Sequence, residues 1–305
     1  MSNLTLEIRP QASCDYHRLV LPFNHITVRP KVPVYMFNRI PGHGRDLAKM
    51  KRDGWRIVCD VDDYWHLDSD HYLYGSFQKS GMGRRIEEAI KLADVVTTTT
   101  SELADKIKPL NKNVHIIPNA LPFDTGQFTR STDKSSGRYF VWAGGASHKH
   151  DLSQLSGLFG SVEIAGYNSR CSEWSAIKNI ATGALFTHER QNTCYMSAYD
   201  GHKVALAPLI QSGFNSCKSN LKTLEAGAKG IPLIASAVKP YLNGVDRNVV
   251  TYCASRIEWH DAMKRLKSSA TMAHDMGERL AEHVRNHYHL NDANRMRRQL
   301  LESFT

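Results

Sequence analysis

Residues Lys203 to Ser236, KVALAPLIQSGFNSCKSNLKTLEAGAKGIPLIAS, predict a strand, a loop, a helix and a second strand. Val204 to Leu206 is one short apolar run, and Leu233 to Ala235 is the other. The glycine-bearing loop Gln211 to Asn215 lies between the first run and the helix. A strand–helix–strand unit of this kind is typical of a parallel α/β sheet.

The helix of this unit has recognisable start and stop signals. Asn215 or Ser216 is expected to cap its first turn, because both side chains can accept a hydrogen bond from a free backbone N–H. Gly227 weakens the helix and Gly230 ends it.

A row of charges follows the same helix. Lys218, Lys222, Glu225 and Lys229 recur at helical spacing, starting near the positive end of the helix. One interpretation is a solvated face with two Lys–Glu contacts. The other is an anion site, since free N–H groups at a helix start attract phosphates. We favour the anion site.

The phrase N-x-x-K-x-x-x-K-x-x-E-A-x-A-x-G-x-P-x-I-A-S resembles the donor-binding signature of retaining GT-B glycosyltransferases of the group 1, family 4-like type, in a compact phage or bacterial form. The residues that carry it are Asn215, Lys218, Lys222, Glu225, Gly230, Pro232 and Ser236. The better-known signature has a further Glu eight positions before Glu225, where this chain has Cys217. The resemblance implies two Rossmann-like domains with parallel sheets facing across a cleft, and a nucleotide-diphosphate sugar, UDP-linked, as the donor.

Composition narrows the class of protein. The 305 residues carry a formal net charge of +9, which favours a polyanionic partner such as nucleic acid, an anionic membrane surface or a nucleotide. Six scattered cysteines without a C-x-x-C pair predict free thiols in a reducing compartment and no zinc site. With a mean hydropathy of −0.42 and no signal-peptide-like start, the chain is expected to be cytoplasmic.

Strands and helices alternate through the first 120 residues. Apolar runs predict strands at Leu4 to Ile8, Val34 to Phe37, Arg56 to Val61, Asp94 to Thr99 and Val114 to Ile117. Helical patterns fall at Arg45 to Arg52, Arg84 to Leu92 and Glu102 to Ile107, the last capped by Ser101. The segment ADVVTTTTSELADKI, followed by NVHIIPNAL, is similar to the end of the first domain in the same family.

Turn-forming residues at 122–137 predict a linker. We therefore expect a first, acceptor domain over residues 1–125 and a second, donor domain over 138–285. A helix within 286–305 would pack back on the first domain, as the resemblance implies.

A second glycine-bearing turn, Gly144-Gly145 with Lys149 four residues on, follows the predicted strand Arg138 to Ala143. Glycines let a backbone approach a phosphate, although an ordinary turn has the same pattern. The resemblance implies that these residues bind the donor diphosphate. The full donor set that we predict is Gly144, Gly145, Lys149, Gly213, Phe214, Asn215, Ser216, Lys218, Lys222 and Glu225, with Lys149 and Lys222 also catalytic and Glu225 holding the ribose.

Carboxylates cluster directly after the predicted strand Arg56 to Val61. Asp60, Asp62 and Asp63 would lie at its carboxyl end, where α/β sites form. A metal-binding D-x-D pattern, local turn capping and acceptor binding are the three interpretations. We predict no metal, because lysines already supply positive charge. The predicted acceptor set is Tyr16, Arg18, Asp62, Asp63, Trp65 and His66, with His17, Asp62 and Asp63 as catalytic candidates.

These observations favour an enzyme that transfers a sugar to an acceptor hydroxyl, with retention as the resemblance implies. The acceptor that we expect is a hydroxylated pyrimidine base in phage DNA. Two alternatives stay open: a cell-envelope or polysaccharide transferase acting at a membrane surface, and a non-catalytic GT-B-like nucleic-acid binder.

Overall fold

The computed structural model describes residues 3–9, 12–131 and 138–305. The chain forms two compact units. Unit 1 consists of Met1–Ala120, Ser216–Ser219 and Leu290–Thr305, and unit 2 of Leu121–Asn215 and Asn220–His289. Unit 1 is therefore built from three separate pieces of sequence.

The sheet of unit 1 has five parallel strands in sequential order. They are β1 (Leu4–Glu7), β2 (Val34–Asn38), β3 (Arg56–Val61), β4 (Val95–Thr98) and β5 (Val114–Ile116). Each follows the sequence prediction to within two residues at either end. β2 and β4 are buried at every position, which is why they are continuous apolar or β-branched runs rather than alternating ones.

The sheet of unit 2 has six parallel strands in the order β11-β10-β9-β6-β7-β8. They are β6 (Phe140–Ala143), β7 (Val162–Tyr167), β8 (Leu185–His188), β9 (Val204–Ala207), β10 (Leu233–Ser236) and β11 (Thr251–Cys253). Strand order reverses between β6 and β9, which are neighbours in the sheet. Ligands of open α/β sheets bind outside the carboxyl ends of the strands at such a switch point.

The α-helices, in chain order, are α1 (Ser13–Asp15), α2 (Leu21–Asn24), α3 (Leu47–Arg52), α4 (Tyr74–Ser80), α5 (Met82–Leu92), α6 (Ser101–Ile107), α7 (Lys149–Leu152), α8 (Glu173–Ile180), α9 (Leu221–Lys229), α10 (Lys239–Leu242), α11 (Arg256–Ser268), α12 (Ala270–His287) and α13 (Leu290–Glu302). A π-helical turn at Tyr16–Val20 joins α1 to α2. None of the helices in the described ranges has both the length and the apolarity needed to cross a bilayer.

Helix α13 closes the hydrophobic core of unit 1. Its Leu301 is buried in one cluster with Leu19, Val34 and Val58. The Asn294 side chain donates to the Pro22 carbonyl at 3.0 Å. The last helix therefore fills a place in the core that the first 120 residues leave open.

Two glycines let helices α9 and α12 of unit 2 approach each other closely. A Cβ on Gly227 would lie 2.5 Å from a methyl of Val284, and one on Gly277 would lie 2.4 Å from the Gly230 carbonyl oxygen. Gly230 ends α9 in the left-handed region, as its position in the sequence predicts. Gly227 is thus a packing residue as well as a weak point of its helix.

Several local predictions were wrong at helix starts. Helix α9 begins at Leu221 after Asn220, and Asn215–Cys217 form a separate 3₁₀ turn. Thr100, not Ser101, caps α6, with its hydroxyl oxygen accepting from Leu103 N at 3.2 Å. A hydroxyl one residue earlier in extended conformation satisfies the same free N–H.

Other features fell outside the sequence predictions. Helix α4 was not predicted, and neither were α8 and β8 in the stretch 170–200. Of the linker predicted at 122–137, residues 132–137 lie outside the described part of the chain. The six cysteines are free thiols, of which three are buried and Cys194 is exposed.

Candidate functional site

The loops that follow β6 and β9 are held together at the switch point of unit 2 by one carboxylate. Asp151, 3% exposed, accepts hydrogen bonds at Oδ1 from Ile210 N at 2.8 Å and from Asn215 Nδ2 at 3.2 Å. Its other oxygen lies 2.6 Å from His148 Nδ1. Asp151 was not among the predicted site residues, yet it fixes the geometry of both predicted donor loops.

The glycines of these loops leave open space. A Cβ on Gly145 or on Gly213 would meet no atom within 4 Å, whereas one on Gly144 would collide with the Trp142 ring. The backbone from Ala146 to His148 turns as a 3₁₀ helix directly into α7. Gly145 and Gly213 therefore offer backbone that a ligand can approach, while Gly144 is required by packing.

Lys149 supplies the positive charge of the first loop. Its Nζ lies 2.8 Å from Glu173 Oε2 on α8, and both side chains are about a quarter exposed. A partly exposed ion pair is weak enough to exchange partners. An incoming anion would then compete with Glu173, a partner that the sequence did not suggest.

Lys222 and Glu225 form a chain of hydrogen bonds at the start of α9. Lys222 Nζ lies 2.8 Å from Glu225 Oε2, and the Tyr199 hydroxyl donates to the same oxygen at 2.6 Å. Glu225 is only 2% exposed, whereas the side chain of Lys222 is 25% exposed. Burial and the neighbouring Glu225 charge raise the pKa of Tyr199 well above its usual value. Tyr199 therefore stays protonated and donates throughout the neutral range.

The predicted row of four charges is only partly a row. Lys218 precedes helix α9 and belongs to unit 1, where its Nζ lies 3.7 Å from Asp63 Oδ1. Lys229 is buried and pairs with Asp200 at 2.8 Å. The prediction that Lys218 lies on the same helix face was wrong. Helix α9 begins six residues after Asn215, so helical spacing does not apply to Lys218. Of the four predicted charges, Lys222 and Glu225 pair with each other near the start of the helix, with Lys222 partly exposed and Glu225 buried.

The other predicted donor residues divide between the two units. Phe214 and Asn215 are nearly buried in unit 2, and the Asn215 amide also donates to the Ile210 carbonyl at 3.0 Å. Ser216 and Cys217 belong to unit 1, where Cys217 is fully buried and its carbonyl accepts from Thr100 Oγ1 at 3.3 Å. Cys217 thus fills core space at the position where the better-known signature has an acid.

In unit 1, a buried ion pair holds the carboxyl end of β3. Arg18 donates to both oxygens of Asp60 at 2.9 Å, and Thr97 Oγ1 donates to Asp60 Oδ2 at 2.6 Å. Arg18 also donates to the Ile117 carbonyl at 2.9 Å. With 1% exposure, Arg18 is engaged within the fold and is not placed to touch an acceptor, contrary to our expectation. Asp60 is likewise taken by Arg18, which argues against a D-x-D metal site.

Asp62 and Asp63 lie at the edge of this network. Asp62 accepts from Asn38 Nδ2 at 2.9 Å and lies 3.7 Å from Arg39. Burial acts to raise the pKa of Asp62, but the Arg39 charge and hydrogen bonds from Cys14 and Asn38 outweigh it and lower the pKa. Cys14, Asp62 and Asp63 bring their ligand-type atoms within 4.8 Å of one another. Arg39 and Lys218 already neutralise this pair of carboxylates.

The remaining acceptor candidates differ in exposure. Trp65, 3% exposed, is part of the core and donates from Nε1 to Glu87 at 3.1 Å, so its side chain is not available to an acceptor, contrary to our expectation. His66 lies on the surface, 3.0 Å from the same carboxylate. Tyr16 is almost buried, and its ring meets that of His17 edge-on at 5.3 Å. His17 is half-buried in the π-helical turn, a feature often found at functional sites.

No protein-family model matches the sequence, and no curated protein matches it either. Solved structures do match. The chain has two units with parallel sheets of five and six strands, and the solved structures that it resembles are GT-B glycosyltransferases. Its fold is therefore GT-B.

Three structures illustrate the likeness. A sucrose-phosphate synthase from Thermosynechococcus elongatus is 12% identical with a TM-score of 0.62, over 88% of this chain and 73% of that one. An alpha-glucosyltransferase in complex with UDP-glucose and DNA containing an abasic site is 12% identical with a TM-score of 0.60, over 88% and 80%. WaaG, a glycosyltransferase involved in lipopolysaccharide biosynthesis, is 10% identical with a TM-score of 0.60, over 98% and 99%.

Proposed function

We propose that the protein is a glycosyltransferase that uses a UDP-sugar as donor. The observation that carries this proposal is the pair of loops after β6 and β9, joined through Asp151 at the switch point of unit 2. They combine approachable backbone at Gly145 and Gly213 with two partly exposed lysines, Lys149 and Lys222. A diphosphate is the ligand whose shape and charge suit that combination.

In this proposal the diphosphate lies against the two loops. Lys149 and Lys222 exchange their carboxylate partners for phosphate oxygens. The departure of Lys222 uncovers the otherwise buried Glu225 carboxylate, which then accepts a hydrogen bond from the ribose while Tyr199 holds it in place. The lysines matter most as the sugar leaves, because charge then accumulates on the terminal phosphate.

The reaction breaks the bond between the anomeric carbon and the diphosphate oxygen. An acceptor hydroxyl oxygen attacks the same face of the oxocarbenium-like sugar, and its proton passes to the departing diphosphate. Configuration is thereby retained without a protein nucleophile. The products are UDP and the glycosylated acceptor.

For the acceptor we propose a hydroxylated pyrimidine base in DNA, bound by unit 1. The net charge of +9 suits this polyanion, and the alpha-glucosyltransferase described above is a structural neighbour with DNA in its complex. Extruding the base from the helix would bring its hydroxyl to the protein. The acceptor-side candidates are then Asp62, Asp63, His17, His66 and Tyr16, whereas Arg18 and Trp65 support them from within the fold.

The test begins with a panel of UDP-, GDP- and ADP-sugars, scored by the thermal stabilisation that each produces. The best donor is then incubated with duplex DNA containing 5-hydroxymethyl pyrimidines, and the nucleosides are examined by mass spectrometry. We expect UDP-sugars to stabilise the protein and the base to gain one hexose. Lys222→Ala should reduce turnover at least about 100-fold, the scale of losing one transition-state donor. Its cost in unfolding free energy should be much smaller in proportion, because the Tyr199 hydroxyl still donates to the buried Glu225 carboxylate. Lys91→Ala on the exposed face of α5 is the matched control.

A cell-envelope glycan is the second candidate acceptor, suggested by the likeness to WaaG over nearly the whole of both chains. Transfer to lipid-linked or polysaccharide acceptors, with no mass change in DNA, would favour it. If no nucleotide sugar stabilises the protein and no UDP is released, the transferase proposal fails and the inert nucleic-acid binder remains.

A further inference from the structure

A concentration of cations lies in unit 2 at the edge of the sheet opposite the donor loops. The donor loops follow the carboxyl ends of β6 and β9. Two clefts instead lie at the amino edge, each lined partly by residues that precede or begin strands and partly by helix residues.

The first cleft has a volume of about 380 Å³ and lies beside the edge strand β11. Three arginines line it: Arg247 before the strand, Arg265 on α11 and Arg279 on α12. All three are exposed, and none forms an ion pair within the described ranges. Arg279 donates to a neutral group, the Asn248 carbonyl, at 3.1 Å. Their charges are therefore available to a ligand.

The second cleft has a volume of about 310 Å³ and lies at the amino ends of β6, β7 and β9. Its cationic lining is Arg138, Lys203 and Lys267. Lys267 donates to Ser161 Oγ at 2.7 Å, again a neutral partner. No carboxylate lines either cleft in the part of the chain that the structure describes.

The last turn of α11 lies between the two clefts. Arg265 lines the first cleft and Lys267 the second, two residues apart on the same helix. We call the six cations Arg138, Lys203, Arg247, Arg265, Lys267 and Arg279 the amino-edge basic surface. Its charge is distributed over two recesses, which a small single anion could not occupy together.

We propose that the amino-edge basic surface binds the phosphodiester backbone of double-stranded DNA, apart from any base that unit 1 receives. A backbone carries phosphates at regular intervals, so one duplex can place charges in both clefts. Arginines suit discrete phosphates, because their planar donors can bind two oxygens of one phosphate. A fluid bilayer offers no fixed spacing of phosphates to match the two clefts. Binding of this kind is independent of sequence and strengthens as salt is lowered.

The surface does not depend on the transferase proposal, because binding can be measured without any donor. Its role would be to hold the protein on DNA by contacts that carry no sequence information. A protein so held can slide along the duplex rather than dissociate between sites.

The test is fluorescence anisotropy of a labelled duplex over a range of salt concentrations. In the triple variant Arg247→Gln, Arg265→Gln, Arg279→Gln we expect the dissociation constant to rise at least about 10-fold. The slope of log affinity against log salt should fall by about 2 to 3, since each lost phosphate contact removes about one unit. The double variant Lys203→Gln, Lys267→Gln should also raise the dissociation constant and reduce the salt dependence of binding. The control is Arg52→Gln, Arg84→Gln, Arg298→Gln, with the same net charge and exposed positions in unit 1.

Equal weakening by the control would mean that net charge alone matters, and would overturn the proposal. So would a wild-type protein that does not bind the duplex, or loss confined to one cleft. Vesicles containing phosphatidylglycerol form a second arm: if the triple variant loses vesicle binding but keeps DNA binding, the ligand is a membrane and the proposal is wrong. Thermal stabilisation by UDP, measured in parallel, should be unchanged in all variants and reports separately on the donor site.

Discussion

Asp151 and Asn215 join the two loops at the switch point of unit 2, with the Asn215 amide donating to the buried Asp151 carboxylate at 3.2 Å. The same carboxylate oxygen accepts from the Ile210 backbone at 2.8 Å. One side chain thus sets the separation of the loops that we propose to hold the donor diphosphate.

Asp151→Ala should therefore weaken donor binding and stability together. Loss of a buried charged acceptor leaves Ile210 N and the Asn215 amide without it, at a cost of about 2 to 3 kcal/mol in unfolding free energy. Urea unfolding measures the cost, and stabilisation by UDP measures donor binding. Asp261→Ala, at an exposed position on α11, is the control. Full UDP stabilisation in the Asp151 variant would contradict the assigned role.

Arg18→Met should be among the most destabilising single substitutions in unit 1. It leaves the buried carboxylate of Asp60 without its bidentate partner, which costs about 3 to 5 kcal/mol. Adding Asp60→Asn should recover part of that loss, because no unpaired charge remains. The two single variants and the double variant form a cycle measured by chemical unfolding. Loss of transfer activity at unchanged stability would instead indicate the acceptor contact that we first expected.

The Glu163–His202 pair of unit 2 predicts a pH dependence of stability. Glu163 Oε2 lies 3.1 Å from His202 Nε2, and Thr187 Oγ1 donates to the other oxygen at 2.8 Å. Burial acts to raise the pKa of Glu163, but the hydrogen bonds from His202 and Thr187, and the charges of His202 and Arg190, lower it overall from about 4.5. The stabilisation is then present above that value and is lost as the pH falls through the lowered pKa.

Glu163→Gln should consequently cost about 1 kcal/mol near neutral pH. The difference from the wild-type protein should shrink as the pH is taken below about 4.5, the ordinary pKa of the carboxyl. Unfolding free energies at a series of pH values measure it. A difference that stays constant down to the lowest pH would show that the Glu163 charge contributes nothing.

Two glycine-to-alanine substitutions should change the unfolding free energy in opposite directions. Gly277→Ala places a Cβ 2.4 Å from the Gly230 carbonyl oxygen and should destabilise by about 1 to 3 kcal/mol, because α9 and α12 must separate. Gly75→Ala lies in α4, where a Cβ meets nothing within 4 Å, and should stabilise by up to about 1 kcal/mol. Thermal unfolding of both variants and of the wild-type protein measures the two changes in stability. A neutral Gly277→Ala would mean that the two helices are not as close as described.

The sequence predicted elements better than it predicted contacts. Arg56–Val61 was predicted to the residue, because a buried parallel strand is an uninterrupted apolar run between polar ends. The start of α9 was missed, since Asn215, Ser216 and Asn220 are all plausible caps and only tertiary packing selects among them. That error carried Lys218 onto a helix to which it does not belong.

For the site residues, the sequence indicated which residue types belong to a donor site, but not which of the chosen side chains are buried. Lys149 was chosen from the glycine turn before it, and Lys222 and Glu225 from their spacing. In the structure Lys149 begins α7, and Lys222 pairs with Glu225 near the start of α9, both in unit 2. Arg18 and Trp65 were predicted to contact the acceptor, yet both are buried within the fold. Asp151 and Tyr199 were missed because their partners lie 64 and 26 residues away. An acid seven residues after the start of a glycine pair was the only local signal for Asp151.

The three-piece composition of unit 1 has a consequence for synthesis. Leu301 occupies the core beside Leu19 and Val58, and Arg56 donates to the Thr305 carbonyl at 2.7 Å. A ribosome delivers residues 1–120 long before residues 290–305, so the first sheet emerges with part of its apolar surface bare. A nascent chain in that state has to be protected from aggregation until translation is nearly finished. Fragments ending near residue 120 should for the same reason be poorly behaved when expressed alone.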